Sequence, residues 1–165
     1  MTRRGLLAGL SLAHLGTAYA VHPTRRLVYA VHDVAEVDHL PRGAVDTYAL
    51  EPDGCLSWLA RRPLSLSATY PKDLAVAPDG EVVIVVAYGG EALNVLPIAT
   101  DGTLGRPTQI LKLLHAPRQV RFAGPGEVTV ETEGPTLRYR YRAAALILAP
   151  ALGSDIIRIG GDVAE

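Results

Sequence analysis

Five polar residues lie at the ends of β-branched runs and have side chains capable of acid–base or anion-binding chemistry. His32 and Asp33 follow one run, Tyr88 follows a second, and His115 and Arg118 come just before a third. Histidine and aspartate can transfer protons, and arginine can hold an anionic group through two parallel hydrogen bonds. Structural alternatives are a strand-edge salt bridge for Arg118 and a buried hydrogen bond for His32, so the fold that positions these residues decides their role.

The elements that would position them are repeated along the chain. Residues Ala18–Asp33 superpose on Asp73–Tyr88 at an offset of 55, and Gly43–Leu56 superpose on Glu91–Leu104 at an offset of 48. The difference falls in the segment VAEVDHLPR, residues 34–42, which we interpret as a loop insertion. The chain therefore contains copies of one structural unit.

A third, weaker copy occupies Val120–Tyr141, with Gly124-Pro125-Gly126 in the place of Pro78-Asp79-Gly80. Every copy has four runs of strand length separated by turns that contain Pro or Gly, and Asp-Gly supplies the positive φ of a tight hairpin. Units of about 45 to 50 residues with four antiparallel strands are typical of β-propeller blades. We therefore predict an all-β fold, an incomplete β-propeller of about three four-stranded antiparallel blades.

These residues resemble the seven-bladed β-propeller lactonases of the 6-phosphogluconolactonase type, a family that also includes cycloisomerases of muconate-like acids. The resemblance covers roughly Gly16–Gly105 and is carried by AVHPTRRLVYAVHD, GAVDTYALEPDGCLSWL, YPKDLAVAPDG and VVAYGGEALNVLPIATDGTLG, in family order. It implies a β-propeller of the lactonase type. It also implies a lactonase, a carboxylic ester hydrolase of carbohydrate metabolism, that opens a small-molecule sugar or phosphosugar lactone.

Several polar positions depart from the family pattern. The family usually has Ala-Asn-Tyr in the second of these blades, whereas Ala87 replaces the amide here. The third blade usually opens with His-x-His, and Ala116 and Arg118 stand at those two places. The family's Asp-x-Gly-x-Asp becomes TEGPT at residues 132–136. Turn and core positions are therefore kept more closely than polar ones.

The resemblance also implies roles for the five polar residues. Asp33 stands where the family usually has Glu, and Tyr88 matches the family tyrosine. Lactone hydrolysis requires a base for water and donors for the oxyanion, and a phosphorylated substrate adds a cationic clamp. We therefore predict His32, Asp33 and Arg118 as catalytic residues, and Tyr88 and His115 as substrate-binding residues. Equivalent strand ends of a propeller gather around its channel, which would bring them together.

Composition argues against several other functions. The formal charge of −1, from 16 basic and 17 acidic residues, gives no net field that attracts nucleic acid or anionic lipid. No stretch reaches the roughly 18 uninterrupted apolar residues of a membrane span. Cys55 is the single cysteine and the five histidines are scattered, so we predict no metal site. No phosphate loop or dinucleotide fingerprint occurs, so we predict no cofactor.

The sequence divides into three parts. We predict a leader or a partial blade strand at residues 1–15, propeller blades at 16–142, and a C-terminal segment at 143–165 that forms a strand or a short helix. The helical alternative is confined to Ala143–Ala149, which is free of turn signals.

The first residues allow three interpretations. Arg3 and Arg4, the apolar stretch Leu6–Ala13 and the small-x-small run Ala18–Ala20 form a twin-arginine export signal with its cleavage site. Alternatively, residues 16–22 are a strand of the fold, or the chain begins inside a longer protein. We predict a cytoplasmic protein, with export by the twin-arginine signal as the alternative.

Length sets a further expectation. Seven blades require roughly 300 residues, so 165 residues provide about three. An open stack of blades would leave two apolar faces and unclosed edges, and we predict self-association through them. The alternative function to a lactonase is a non-catalytic propeller fragment that acts as a binding or self-assembly module.

Overall fold

The computed structural model describes residues 15–149, and every regular element in that range is a β-strand. Twelve strands form three four-stranded sheets, each with its strands in sequence order. Blade 1 contains β1 (Ala18–Val21), β2 (Leu27–Val31), β3 (Ala44–Leu50) and β4 (Leu56–Pro63). Blade 2 contains β5 (Thr69–Val76), β6 (Val82–Gly89), β7 (Ala92–Pro97) and β8 (Gln109–Lys112). Blade 3 contains β9 (Pro117–Gly124), β10 (Glu127–Thr132), β11 (Leu137–Arg142) and β12 (Ala145–Leu148).

The arrangement of the sheets is that of propeller blades, which confirms the predicted fold. All strand pairs within the blades are antiparallel. The first strand of blade 2, β5, packs against both β1 and β9, so the first strands lie innermost. We call the end of the stack where first strands begin and second strands end the channel end. Within the described residues, no helix is long and apolar enough to cross a membrane.

Asp-Gly turns fix the hairpins and also join neighbouring blades. Gly102 has a φ of 88° and closes its turn by donating from its N–H to the Ala99 carbonyl at 2.9 Å. The Gly102 carbonyl accepts a hydrogen bond of 2.8 Å from the buried Tyr29 hydroxyl of blade 1. Burial raises the pKa of Tyr29 to about 12, so this hydroxyl keeps its proton at neutral pH. A turn of blade 2 is thereby fixed to the core strand of blade 1.

Strand pairing shows which residues are equivalent in the three blades. At the channel end, equivalent pairs of first and second strand are Ala18–Val31, Asp73–Val86 and Gln119–Glu131. The connection after the first strand is one residue shorter in blade 3 than in blade 2. The strand pairing shows this: Val76 pairs with Val83 in blade 2, whereas Phe122 pairs with Val128 in blade 3. The repeat offset between blades 2 and 3 therefore changes from 46 in the first strand to 45 in the second.

Two apolar cores lie between the blades. We call the surface of a blade that looks toward the preceding blade its leading face and the opposite surface its trailing face. The core between blades 1 and 2 includes Tyr29, Val31, Val45, Leu74, Val83, Val85 and Leu96. The core between blades 2 and 3 includes Val82, Ile84, Val86, Leu93, Val95, Val128 and Val130. The strand β6 is buried on both faces from Val82 to Ala87, which explains its uninterrupted apolar run.

The trailing face of blade 3 is charged, so the prediction of two open apolar faces is wrong for this blade. At positions where the second strand of blade 2 has Val82, Ile84 and Val86, blade 3 has charged and polar side chains. They are Glu127, Thr129 and Glu131. Arg121 forms a salt bridge with Glu131 on this face, and Arg138 lies 3.9 Å from Glu127. Alternation with the buried valines of β10 places these charges in water.

The ends of the chain bear on the predicted division. Ala145–Leu148 forms the strand β12 rather than a helix, and β12 is the fourth strand of blade 3, so this blade extends past residue 142. Ala18–Val21 forms β1 and pairs with β2, so signal cleavage after Ala20 would cut a blade strand. All of the predicted leader at residues 1–15 except Leu15 lies outside the described part, including Arg3 and Arg4, as do residues 150–165.

Candidate active site at the channel end of the blades

Two cationic side chains mark the channel end of the inner strands. Lys72 in β5 and Arg118 in β9 occupy equivalent positions, and each is an extra residue that the pairing with the second strand skips. Such β-bulges redirect a side chain out of the regular alternation and are frequent beside active sites. The sequence therefore places one cation on each of two neighbouring inner strands by the same local device.

Three further residues occupy equivalent positions at the ends of the second strands. They are Asp33, Tyr88 and Glu133. Each lies two residues after the second-strand member of an equivalent pair described above, namely Val31, Val86 and Glu131. The Lys72 Nζ donates to Asp33 Oδ2 at 2.6 Å and lies 5.6 Å from the centre of the Tyr88 ring. This ring distance is within the range of a cation–π interaction. Lys72 thus links blade 1 to blade 2.

Glu133 completes a polar network across all three blades. Its Oε1 accepts hydrogen bonds from the Tyr88 hydroxyl at 2.9 Å and from the Arg118 guanidinium at 2.6 Å. The hydrogen bond from Arg118, followed by that from Tyr88, holds the pKa of Glu133 below its usual range. The same carboxylate raises the pKa of Tyr88. The network therefore contains ionised Glu133 and a protonated Tyr88 hydroxyl at neutral pH.

His115 lies beside this network. Its ring packs on the turn after Glu133, so closely that a Cβ on Gly134 would lie 2.5 Å from His115 Cδ2. His115 also makes a small electrostatic contribution to the lowered pKa of Glu133. Asp33, Tyr88, Arg118 and His115, four of the five residues predicted from the sequence, thus belong to one region. The arrangement offers two cations, a hydroxyl and carboxylates to a small anionic molecule.

His32 faces a different cluster, on the leading face of blade 1. Its Nε2 lies 3.2 Å from Oδ2 of Asp46, which is 2% exposed and also receives two hydrogen bonds from Arg61 and one from Trp58. Burial opposes ionisation of Asp46, but the hydrogen bonds from Arg61 and Trp58 prevail and lower its pKa. His32 and Arg61 line a cleft of about 320 Å³ that the inserted loop borders through Glu36 and Asp38.

Sequence reasoning missed Lys72, Glu133 and Asp46. Lys72 was detectable because it precedes Arg118 by the repeat offset of 46. Glu133 was hidden, because the same offset places Gly134 opposite Tyr88, and only the shorter turn of blade 3 shows that Glu133 is equivalent. Asp46 matched Asn94 in the repeat, but a match between blades does not show the hydrogen bonds that each side chain makes.

The fold and this polar region define a β-propeller with a cluster of ionisable side chains at one end of its inner strands. Comparison with known families identifies it further: a model described as lactonase, 7-bladed beta-propeller, matches residues 15–159. The chain belongs to this lactonase family. The family predicted from the repeat motifs is therefore confirmed.

Individual relatives agree with the family. The chain is 31% identical over 97 residues to 6-phosphogluconolactonase of Sodalis glossinidius (strain morsitans), covering 59% of this chain and 26% of that protein. It is 27% identical over 140 residues to 6-phosphogluconolactonase of Serratia proteamaculans (strain 568), covering 85% and 34%. The structure of a periplasmic gluconolactonase of Pseudomonas aeruginosa matches with a TM-score of 0.66 and 18% identity, covering 81% of this chain and 44% of that one.

The matches cover only part of each relative. The chain spans about a quarter to a third of the curated relatives, since the matched shares are 26% and 34%. The solved gluconolactonase shares the fold, because its identity of 18% supports similarity of structure alone. The relatives' activities therefore enter below as proposals.

Proposed function

We propose that this chain forms part of a lactonase-type hydrolase, resembling 6-phosphogluconolactonase, that opens an anionic sugar lactone at the channel end of the blades. The observation that carries the proposal is the pair of cations, Lys72 and Arg118, on equivalent bulges of neighbouring inner strands. Both are accessible, with side chains 32% and 64% exposed. An incoming phosphate can compete with their carboxylate partners for the same hydrogen bonds.

The surrounding residues support hydrolysis. Water attacks the lactone carbonyl, the ring C–O bond breaks, and the water proton finally reaches the released hydroxyl. Asp33 takes the proton of the attacking water, and Arg118 stabilises the developing oxyanion while Lys72 holds the phosphate. Tyr88 and His115 bind the sugar hydroxyls. His32 is bonded to Asp46 in the neighbouring cleft, so it has no step in this scheme.

The test is the rate of 6-phosphogluconolactone opening by the purified chain, measured by proton release above the spontaneous rate. Arg118→Ala should lower kcat/KM by about 10²–10³-fold, the effect of removing one oxyanion donor. Lys72→Ala should raise KM more for the phosphorylated lactone than for the unphosphorylated one. Arg121→Ala is the matched control, because Arg121 carries the same charge on the trailing face of blade 3, bound to Glu131.

Two results would contradict the proposal. One is a folded chain whose lactone opening never exceeds the spontaneous rate, which would favour the non-catalytic binding or assembly module. The other is equal loss of activity in Arg118→Ala and Arg121→Ala, which would show that any lost arginine disturbs the fold. A circular dichroism spectrum and a melting curve of each variant separate a lost site from a lost fold.

A further inference from the structure

Tyr70 has an unusual backbone conformation in the inner strand of blade 2. It lies within β5 with a φ of 50°, although a bulky residue other than glycine rarely adopts a positive φ. Pro71 follows it, and a residue before proline normally has a φ of about −120°. Pro71 is fixed on blade 1, because a Cβ added to Gly43 would lie 2.7 Å from Pro71 Cδ. Strained residues of this kind are held by their surroundings and cluster at functional sites.

The repeat itself does not require this conformation. Pro71-Lys72 of blade 2 is equivalent to Pro117-Arg118 of blade 3, since both pairs lie at the same bulge. The residue equivalent to Tyr70 is therefore Ala116, whose φ is not positive and which has no ring. Both blades present a cation at this bulge, but of the two only blade 2 adds a strained tyrosine.

A hydrogen bond between blades places Tyr70 beside the proposed site. Its backbone N–H donates to the Val34 carbonyl at 2.8 Å. Val34 directly follows Asp33, which forms the 2.6 Å ion pair with Lys72. Within the described part of the chain, Tyr70 is 44% exposed and Val34 is 36% exposed. The two residues therefore provide accessible apolar surface next to the Lys72–Asp33 pair.

We infer that Tyr70 is a substrate-binding residue whose ring packs against the sugar ring while Lys72 holds the phosphate. This inference rests on the proposed function and adds a specificity: the site binds a cyclic sugar phosphate in preference to phosphate alone. Ligand sites combine apolar and aromatic surface with a few polar groups, and an aromatic ring supplies a large contact area. The cations and carboxylates of the network provide the polar groups, and Tyr70 with Val34 provides the apolar surface.

The test is calorimetric titration of the full chain with two probes, inorganic phosphate and glucose 6-phosphate. Glucose 6-phosphate has a phosphate and a six-membered sugar ring but no lactone bond, so binding is measured without turnover. Tyr70→Ala should weaken binding of glucose 6-phosphate about tenfold, or about 1.4 kcal/mol, and change phosphate binding by less than about twofold. Tyr70→Phe keeps the ring and should retain the affinity. Lys72→Ala should weaken binding of both probes.

Two further variants separate binding from stability. Tyr19→Ala is the matched control, because Tyr19 is also in a first strand and 45% exposed but makes no contact with the channel-end network. It should leave both affinities unchanged. Tyr70→Gly removes the ring and the strain together, because glycine adopts a positive φ without steric cost. This variant should lose affinity for glucose 6-phosphate as Tyr70→Ala does, without a lower melting temperature.

Three results would overturn the inference. They are equal effects of Tyr70→Ala on the two probes, no tighter binding of glucose 6-phosphate than of phosphate by the unaltered chain, and a lower melting temperature of Tyr70→Gly. If Tyr70→Ala does not fold, Tyr70→Gly and Tyr70→Phe give the same comparison. A Tyr70-dependent preference for glucose 6-phosphate in a chain that opens no lactone would support the inference and contradict only the proposed hydrolysis.

Discussion

Asp73 shows how one partly buried carboxylate joins two blades. Its Oδ2 accepts a hydrogen bond of 2.9 Å from the backbone N–H of Val120, in the first strand of the next blade. Burial raises the pKa of Asp73, and the hydrogen bonds from the backbone N–H groups of Val120 and Leu74 oppose that shift only in part. The charged form is therefore less favourable in the fold than in the unfolded chain.

The raised pKa predicts a specific pH dependence of stability. The folded state holds the Asp73 proton to higher pH than the unfolded state, so this residue lowers the free energy of unfolding as pH rises through its folded pKa. Asp73→Asn keeps an oxygen acceptor for Val120 and removes the charge. The variant should gain stability relative to the unaltered chain as pH rises from the ordinary aspartate pKa to the raised pKa of folded Asp73, measured by urea unfolding.

Asp73→Ala provides the comparison. It removes the acceptor as well as the charge, so the Val120 N–H loses its partner and the chain should lose about 1–3 kcal/mol near neutral pH. An Asn variant whose stability difference from the unaltered chain stays constant with pH would contradict the role assigned to Asp73. Opposite pH effects of Asp46 and Glu133, whose pKa values are lowered, cancel in this difference.

The turn between β6 and β7 illustrates a constraint on one element. Gly90 has a φ of 77°, and a Cβ added there would lie 2.0 Å from the backbone carbonyl oxygen of Ser67. The turn is thus pressed against the segment that connects blade 1 to blade 2. Only a residue without a side chain fits both the backbone conformation and the space.

Gly90→Ala should therefore lower the free energy of unfolding by at least about 1–3 kcal/mol, the scale of a strained backbone position. Gly124→Ala is the control, because a Cβ at Gly124 meets no atom within 4 Å and its φ is not positive. Equilibrium urea unfolding of the two variants gives the comparison. Similar stability losses in both would show that the turn is not under the constraint described.

The elements also show how far sequence reasoning reaches. The repeat located the blades because turn residues and strand length are set by local conformational preference, which a sequence displays directly. The directions of side chains were harder to predict from the sequence. The turn after the first strand of blade 3 is one residue shorter than that of blade 2, so Glu133 rather than Gly134 is equivalent to Tyr88 and lies beside Arg118. His32 and Asp33 are adjacent in sequence yet lie in different clusters, because consecutive residues of an extended segment point to opposite sides.

On the scale of the whole molecule, the stack has two unlike ends. Among the described residues, the leading face of blade 1 carries apolar side chains, whereas the trailing face of blade 3 carries arginines and glutamates. The sequence of β11, Leu137–Arg142, alternates arginine with tyrosine, and this alternation indicates a strand with one solvated side. This alternation could have predicted from the sequence that one face of blade 3 is charged, whereas the uninterrupted apolar run of β6 predicts a strand buried on both faces.

The unlike ends also limit how such a chain can be lengthened by internal duplication of its gene. A second copy of residues 69–112, inserted between blades 2 and 3, would find an apolar neighbour on each side, because blade 2 is apolar on both surfaces. The same unit packed on the trailing face of blade 3 would meet Glu127 and Glu131. A duplicated unit is therefore accommodated between blades 2 and 3, whereas one like blade 2 on the trailing face of blade 3 requires replacement of the charged residues there.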